Sequence, residues 1–303
     1  MNVFSISQLS QFSGIKPHTI RIWEQRYNAL EPIRSEGNTR YYDGKQLRRL
    51  LNIVSLMDKG FKVSQLCAMT DEKLNSLILD PDSSFDGDSA DYYINQIIAA
   101  GMAFDSIHFE HIFSLSISVY GLKDTYKKVI HPVMKRIGLT WATDVMPPAN
   151  EHFISNLFHQ KISSAIDSLP LPDLSKESWL LLLPENDFHE LPLLYASLLI
   201  RLSGRRVIYL GSNVPLTSLK STLEDTLPDN LLMFLIHFDY PERIEKDIEK
   251  INASFFGKKI YLAGNHKLIS SIKFPENVVY LQSTDDIEDV LGLNKEIMQK
   301  AIK

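Results

Sequence analysis

Two short stretches of the chain set an imidazole beside a carboxylate, the pairing that orients a metal-binding histidine. One is Glu151-His152, preceded by Trp141 and by Pro147-Pro148; the other is Glu185-Asn186-Asp187-Phe188-His189-Glu190-Leu191-Pro192. A neutral imidazole takes a metal on one ring nitrogen, and a carboxylate on the other nitrogen fixes the tautomer and raises the ligand's basicity. Asn150 stands where it would cap a helix placing His152, Asn156 and His159 on one stripe, because offsets of four and seven share a helix face. Read alone, histidines in such positions are more often structural. A zinc site on His152 and His159 has no third strong ligand nearby, and His108 with His111 has none either. The single cysteine, Cys67, excludes a disulfide framework and multi-cysteine metal sites within one chain. Gly211-Ser212-Asn213 and Ala263-Gly264-Asn265 put small and polar groups where a ligand could approach the backbone.

A second set of residues suits a polyanion. Lys16, His18, Thr19, Arg21 and Arg26 sit on or beside one helical segment, and Arg34, Arg40, Tyr41 and Tyr42 follow it. Cations and hydroxyls at this spacing fit phosphate positioning with a few base contacts. The net charge of -5 conceals the same division: residues 1 to 70 carry ten Lys/Arg against five Asp/Glu, and the rest twenty-two against thirty-two. Such asymmetry is expected when one domain meets a nucleic acid and the others do not.

The elements that must hold these groups follow from the pattern of apolar residues. Ser5 and Gln8 have capping-box spacing before Leu9, Phe12 and Ile15, Gly14 breaks that helix, and Pro17 opens a second one reaching about Tyr27. Gly37-Asn38 marks the turn of a hairpin between Ile33-Arg34 and Arg40-Tyr41-Tyr42, so the segment reads as a winged helix. Gln46 to Lys59 and Val63 to Leu79 return to helical spacing, giving a head over 1–79. The aspartate-rich run 80–91, with Pro81 and Gly87, reads as a solvated linker and the clearest domain boundary.

Residues 92–172 show helical spacing without a convincing strand, as expected of a small four-helix bundle. From 173 to 303, the apolar runs Trp179–Leu183, Val207–Leu210, Leu231–Ile236, Ile260–Ala263 and Val278–Leu281 alternate with helical segments near 190–203, 216–226, 241–253 and 284–301. Short apolar runs between helices predict a doubly wound five-stranded parallel sheet, whose ligands sit at the carboxyl ends of the strands. His189 falls in the loop after the first of them. No 18-residue apolar run and no basic flank with an apolar core at Met1–Ser10 are found, so neither a membrane span nor a signal peptide is expected, and the expected location is cytoplasmic.

Residues 2 to 70 closely resemble the MerR-type winged-helix DNA-binding domain. The elements that carry the likeness occur in order: Ser-Ile-Ser-Gln-Leu from Ser5, Ile-Lys-Pro-His-Thr-Ile-Arg-Ile-Trp-Glu-Gln-Arg-Tyr from Ile15, Gly-Asn-Thr-Arg-Tyr-Tyr from Gly37, and Leu47-Arg48-Arg49-Leu50. Lys16 departs from the Ser or Thr cap usual before that proline. The long dimerising helix of usual MerR regulators is not apparent, so dimerisation must come from elsewhere.

Trp141, nine residues, then Glu151-His152 in a bundle, followed by Asp187-x-His189 at the first loop of a flavodoxin-like domain, resembles the cobalamin-binding module of methionine-synthase type. Its union with a MerR-type head resembles the cobalamin-dependent, light-responsive repressors that control carotenoid synthesis in bacteria. That resemblance implies adenosylcobalamin bound base-off between bundle and α/β domain, with cobalt held from below by His189, Asp187 as that histidine's partner, and Gly211, Ser212, Asn213 and Gly264 among the surrounding residues. Trp141 and Glu151 would border the upper axial group, and His152 would take the upper position after light removes it. It further implies a photoreceptor that is no enzyme, a double-stranded DNA operator, and a dimer or tetramer that depends on the ligand.

Pro192 replaces a glycine of the family pattern, a Ser-x-Leu element is not evident around Leu235 to Phe238, where His237 stands, and the paired glycine appears as Ala263-Gly264. These departures keep open a regulator whose module serves cobalamin-independent oligomerisation or partner binding. A corrinoid carrier for methyl transfer is the enzyme-class alternative, against which the basic head counts.

Overall fold

The computed structural model describes residues 3–78, 89–141, 147–236, 241–255 and 258–293. The chain forms two compact units, Met1–Phe158 and His159–Lys303.

The first unit opens with β1 (Val3–Phe4), α1 (Ile6–Ser13) and α2 (Pro17–Tyr27). Ser5 and Gln8 close the expected capping box on α1, and Gly14 ends it in the left-handed region. Lys16 gives α2 no side-chain cap; Pro17 at the first helical position supplies the fixed φ instead. The hairpin β2 (Ile33–Arg34) and β3 (Arg40–Asp43) turns at Asn38, and a three-stranded antiparallel sheet runs β1-β3-β2. Asp43 caps α3 (Gly44–Asp58) by accepting from Gln46 N at 2.9 Å.

The single helical stretch predicted from Val63 to Leu79 is instead two helices, α4 (Val63–Cys67) and α5 (Asp71–Ile78). Arg49 is the physical reason. Its guanidinium donates to the carbonyls of Cys67 and Met69 at 2.9 and 3.0 Å and meets Asp71 at 2.6 Å, capping one helix end and holding the start of the next.

The helices that follow are α6 (Ala90–Ala103), α7 (Ser106–Thr125), a π-helical turn (Tyr126–Ile130), α8 (His131–Trp141) and α9 (Pro148–Asp167). Asn150 does not cap α9 as its position suggested. It is buried in the first turn and donates Nδ2 to the Gly101 carbonyl of α6 at 2.9 Å. One turn on, Ile154 Cδ1 lies 2.1 Å from where a Cβ on residue 101 would stand, so any larger residue there must displace the Ile154 side chain.

Residues 80–88 of the acidic run lie outside the described residues, but the elements on its two sides are not separate bodies. Gln96 of α6 donates Nε2 to Ser55 Oγ at 2.9 Å and Asn52 Oδ1 at 3.2 Å on α3, and Asn52 donates in turn to Asn75 of α5 at 2.8 Å. His108 of α7 donates Nε2 to Gln96 Oε1 at 2.8 Å. Arg136 of α8 reaches the Phe12 carbonyl at the end of α1 at 3.3 Å and Asn95 at 3.0 Å, and pairs with Asp91.

The second unit contains β4 (Ser178–Pro184), α10 (Glu190–Leu202), β5 (Arg206–Val214), α11 (Leu216–Thr226), β6 (Asn230–Leu235), α12 (Pro241–Ser254), β7 (Lys259–Gly264), α13 (His266–Ile269), β8 (Val278–Tyr280) and α14 (Thr284–Leu291). All strand pairs are parallel in the order β5-β4-β6-β7-β8, the doubly wound sheet expected of the five apolar runs. Leu180 and Leu182 pack with Leu219, Leu223, Ile248 and Ile251 of α11 and α12, and strand alternation turns Leu181 and Leu183 to the other face. The C-terminal helix ends at Gly292, in the left-handed region; its predicted continuation from residue 294 lies outside the described residues.

Gly101→Ala should destabilise the first unit by about 1–3 kcal/mol through overpacking. Urea denaturation checks this, and an unchanged midpoint would show that α9 yields freely. Burial holds the His108 imidazole below its ordinary range, and burial with Lys135 does the same for His131. Stability is therefore complete above about pH 6.5, the unfolded value, and is lost as pH falls and the unfolded chain takes the proton first. The thermal midpoint should fall between about pH 7.5 and 5.5, less steeply in His108→Gln; equal slopes in both proteins would refute a role for His108.

Candidate functional site

The loop after β4 is organised by Asp187, whose side chain is wholly buried. Its Oδ2 accepts from Ile236 N at 3.0 Å, just past the end of β6, and its Oδ1 accepts from His189 N at 3.1 Å and His189 Nδ1 at 3.0 Å. A carboxylate oxygen only accepts, so Nδ1 carries the hydrogen and Nε2 keeps the lone pair that a metal would take. The His189 side chain is 54% exposed above this buried anchor.

The other edge of the loop is fixed by β5. Asn213 Oδ1 accepts from Asn186 N at 2.9 Å, and Asn213 N donates to the Asp187 carbonyl at 3.1 Å. Gly211, Ser212 and Asn213 are thus not a free loop, as their composition suggested. They extend β5 across register shifts that pair Leu182 with Gly211 and Pro184 with Val214. The positive φ of Gly211 and Asn213 belongs to this irregular strand end. Gly264 is held by β6, since a Cβ there would stand 2.3 Å from the Leu235 carbonyl oxygen.

Pro192 is the third residue of α10, with His189 at the N-cap. The N–H groups of a helix's first turn have no acceptor within the helix, so proline removes no bond there. Glu190 accepts from Tyr209 OH at 3.1 Å, and His159 Nε2 lies 3.5 Å from its other oxygen. Burial, then the Glu190 carboxylate, keeps the Tyr209 phenol neutral.

In the helical unit, Trp141 closes α8 and its side chain is outside the described residues. On α9, His152 Nδ1 stands 3.3 Å from Glu151 Oε2, and the imidazole is largely exposed. Asn156 donates to the His152 carbonyl at 2.7 Å, which holds it on that helix rather than in a ligand set. His237 lies outside the described residues, and among those described no three His, Cys, Asp or Glu side chains cluster to hold a metal ion by themselves.

On the head, Lys16, His18, Arg21, Arg26 and Arg34 are exposed, and Thr19 and Tyr41 are half-buried. Tyr42 is a correction: it is fully buried, because alternation along β3 turns it inward, and its hydroxyl donates to Glu24 at 2.8 Å. Burial, first, and that carboxylate keep the phenol neutral. Arg40 is engaged by the same carboxylate at 2.8 Å, so its charge is matched within the fold. Spacing did not single out Ile22 and Gln25, which are exposed beside His18 and Arg21; their offsets of four and seven from His18 were the available signal. The Ile236 amide was invisible to residue-type reasoning because a backbone N–H has no sequence signature.

Residues 4–73 match the MerR HTH family regulatory protein, and residues 93–165 match the B12 binding domain. The chain is a transcriptional regulator that joins a MerR-type helix-turn-helix to a B12 binding domain. It is homologous to the HTH-type transcriptional repressor CarH of Myxococcus xanthus, with 25% identity over 230 residues, 75% of this chain and 76% of the relative. CarA, an HTH-type transcriptional repressor of the same organism, is 23% identical over 246 residues, 80% of each chain. A shorter match, to the HTH-type transcriptional regulator MlrA of Escherichia coli, is 30% identical over 66 residues, 22% of this chain and 27% of the relative. The monomethylamine corrinoid protein of Methanosarcina barkeri shares the fold at a TM-score of 0.50 and 12% identity, over 72% of this chain and 99% of that one.

Asp187→Ala leaves the Ile236 and His189 amides without their acceptor and should cost about 2–4 kcal/mol. Equilibrium denaturation of the variant tests this, and a loss under about 0.5 kcal/mol would show that water replaces the carboxylate.

Proposed function

We propose that this protein is a DNA-binding transcriptional repressor of the cytoplasm, with no enzymatic turnover, whose oligomeric state is set by adenosylcobalamin and light. The observation that carries the reading is the His189 imidazole, fixed at Nδ1 by a buried aspartate, on a chain that also bears a basic winged helix. His189 would hold cobalt through Nε2, and Asp187 would keep that nitrogen in the ligating tautomer. His152, with Glu151 at its Nδ1, would be the second imidazole offered to the metal, and Trp141 and Glu151 would border the cofactor's adenosyl group. Gly211, Ser212, Asn213 and Gly264 would shape the strand ends beside the cofactor's tail. When bound, adenosylcobalamin supplies a cobalt–carbon bond that light cleaves.

In the dark, assembly would present several winged helices to one double-stranded operator, and linking weak heads raises binding through effective concentration. Lys16, His18, Arg21, Arg26 and Arg34, exposed on one head, would meet phosphate and base edges, with Thr19 and Tyr41 at their margin. No helix among the described residues is long and apolar enough to cross a membrane. CarH and CarA, named as repressors, support the sign of regulation.

A second reading makes the module a cobalamin-independent surface for oligomerisation or a protein partner. Pro192 in the place of a glycine favours it, although its first-turn position removes that proline's cost to the helix.

Full-length protein with adenosylcobalamin should elute larger in the dark than after green illumination. Asp187→Asn should lower cofactor retention about 10- to 100-fold, the range for losing a ligand's partner, and His189→Ala should lower it further. Unchanged elution sinks the switch, and the absence of a red-pink complex after dialysis supports the second reading. Operator binding should weaken with salt at a log–log slope of about -0.9 per phosphate contact; a methyl carrier would show no specific binding at all.

A further inference from the structure

We infer that Ile22 and Gln25 read base identity, Ile22 against a thymine methyl and Gln25 against an adenine edge, so that each half-site carries A·T pairs beneath them. This rests on the DNA-binding reading above.

Helix α2 packs on α1 and α4 and buries Ile20, Trp23 and Glu24. Its outer face is His18, Arg21, Ile22, Gln25 and Arg26, all exposed. At 100° per residue the first four fall within an arc of about 100°, one continuous stripe. Arginines on such a stripe meet phosphate or guanine, and phosphate contacts carry no sequence information. Ile22 is uncharged, 42% exposed, and shares that face with His18, Arg21, Gln25 and Arg26. A lone exposed isoleucine is ordinary on a protein surface. At the centre of a helix face shaped to enter the major groove, its one complementary partner is the C5-methyl of thymine. Gln25, about one turn further on, carries the donor and acceptor pair that matches the N6 and N7 of adenine.

The rotation of α2 is fixed from behind. Glu24, between Trp23 and Gln25, is nine-tenths buried and binds both Arg40 and Tyr42 of the wing at 2.8 Å. A helix clamped there by two bonds cannot roll, so the side chains opposite Glu24 face outward in one register. The cation Arg34 is turned toward its own hairpin, donating to Asn38 at 2.6 Å.

Selection of binding sites from a random double-stranded library, with the full-length wild type and variants, tests the assignment. The wild type should select A·T pairs at neighbouring positions of each half-site. Ile22→Ala should flatten the thymine preference about fivefold at one position, and Gln25→Ala should flatten the adenine preference by about 5- to 100-fold at the next. Both variants should keep the wild-type salt slope and thermal midpoint. Arg26→Ala should do the reverse, lowering the slope by about 0.9 and weakening all sites alike. Wild-type preferences retained in both Ile22→Ala and Gln25→Ala overturn the inference while leaving the DNA-binding reading intact. Failure of the wild type to enrich any site overturns both together.

Discussion

A carboxylate removed from water costs several kcal/mol unless its lone pairs are met, and the second unit is arranged around meeting those of Asp187. Two backbone amides and an imidazole nitrogen converge on it. One amide belongs to the residue after β6 and the others to the loop after β4, so the carboxylate ties two neighbouring strand ends together. Asn213 closes the loop from the opposite side, where β5 flanks β4. The imidazole of His189 is exposed, but its orientation is a property of the interior. A loop histidine would otherwise sample several rotamers; here its rotation is coupled to the sheet.

Glu24 performs the corresponding task in the head. It is a carboxylate inside a segment whose net charge is positive, and it draws Arg40 and Tyr42 of the wing onto α2. Arg49 is likewise engaged with Ala29, Cys67, Met69 and Asp71. The positive charge of the first 70 residues therefore divides into cations that build the head and cations that remain outside for a polyanion. Composition counts both kinds equally.

What the sequence disclosed follows the same physics. Strands β4 and β6 are covered on both faces, so their runs of Leu and Met are continuous and were legible, and the parallel, doubly wound arrangement followed from alternation with helices. The Ser5–Gln8 capping box and the Asp187-x-His189 pairing were legible because they are local, within two or three residues. The extension of β5 through Gly211 and Asn213 was hidden because residues at positive φ in a strand resemble a turn. Asn150, Tyr42 and Arg49 were misjudged or overlooked because their partners lie at least 18 residues away in sequence. Polarity at such positions signals either solvent or a distant buried partner, and spacing alone does not distinguish them. The acidic run marks a connection by its composition, and composition is silent on what packs across it, here Gln96 against Asn52 and Ser55.

Gln96 and Arg136 give that packing a geometric consequence. The head is braced to α6 and α8 by side-chain bonds, so it turns with the bundle instead of trailing on a tether. For copies assembled on one duplex, the spacing and angular phase of the heads are then inherited from the assembly itself. DNA presents the same groove face once per helical turn, about 10.5 bp. A change of half a turn between half-sites would carry one site to the far side of the duplex, beyond the reach of a braced head, whereas a whole turn would restore its facing. In the assembly proposed above, side-chain bonds inside each subunit would become a ruler for the sequence between half-sites.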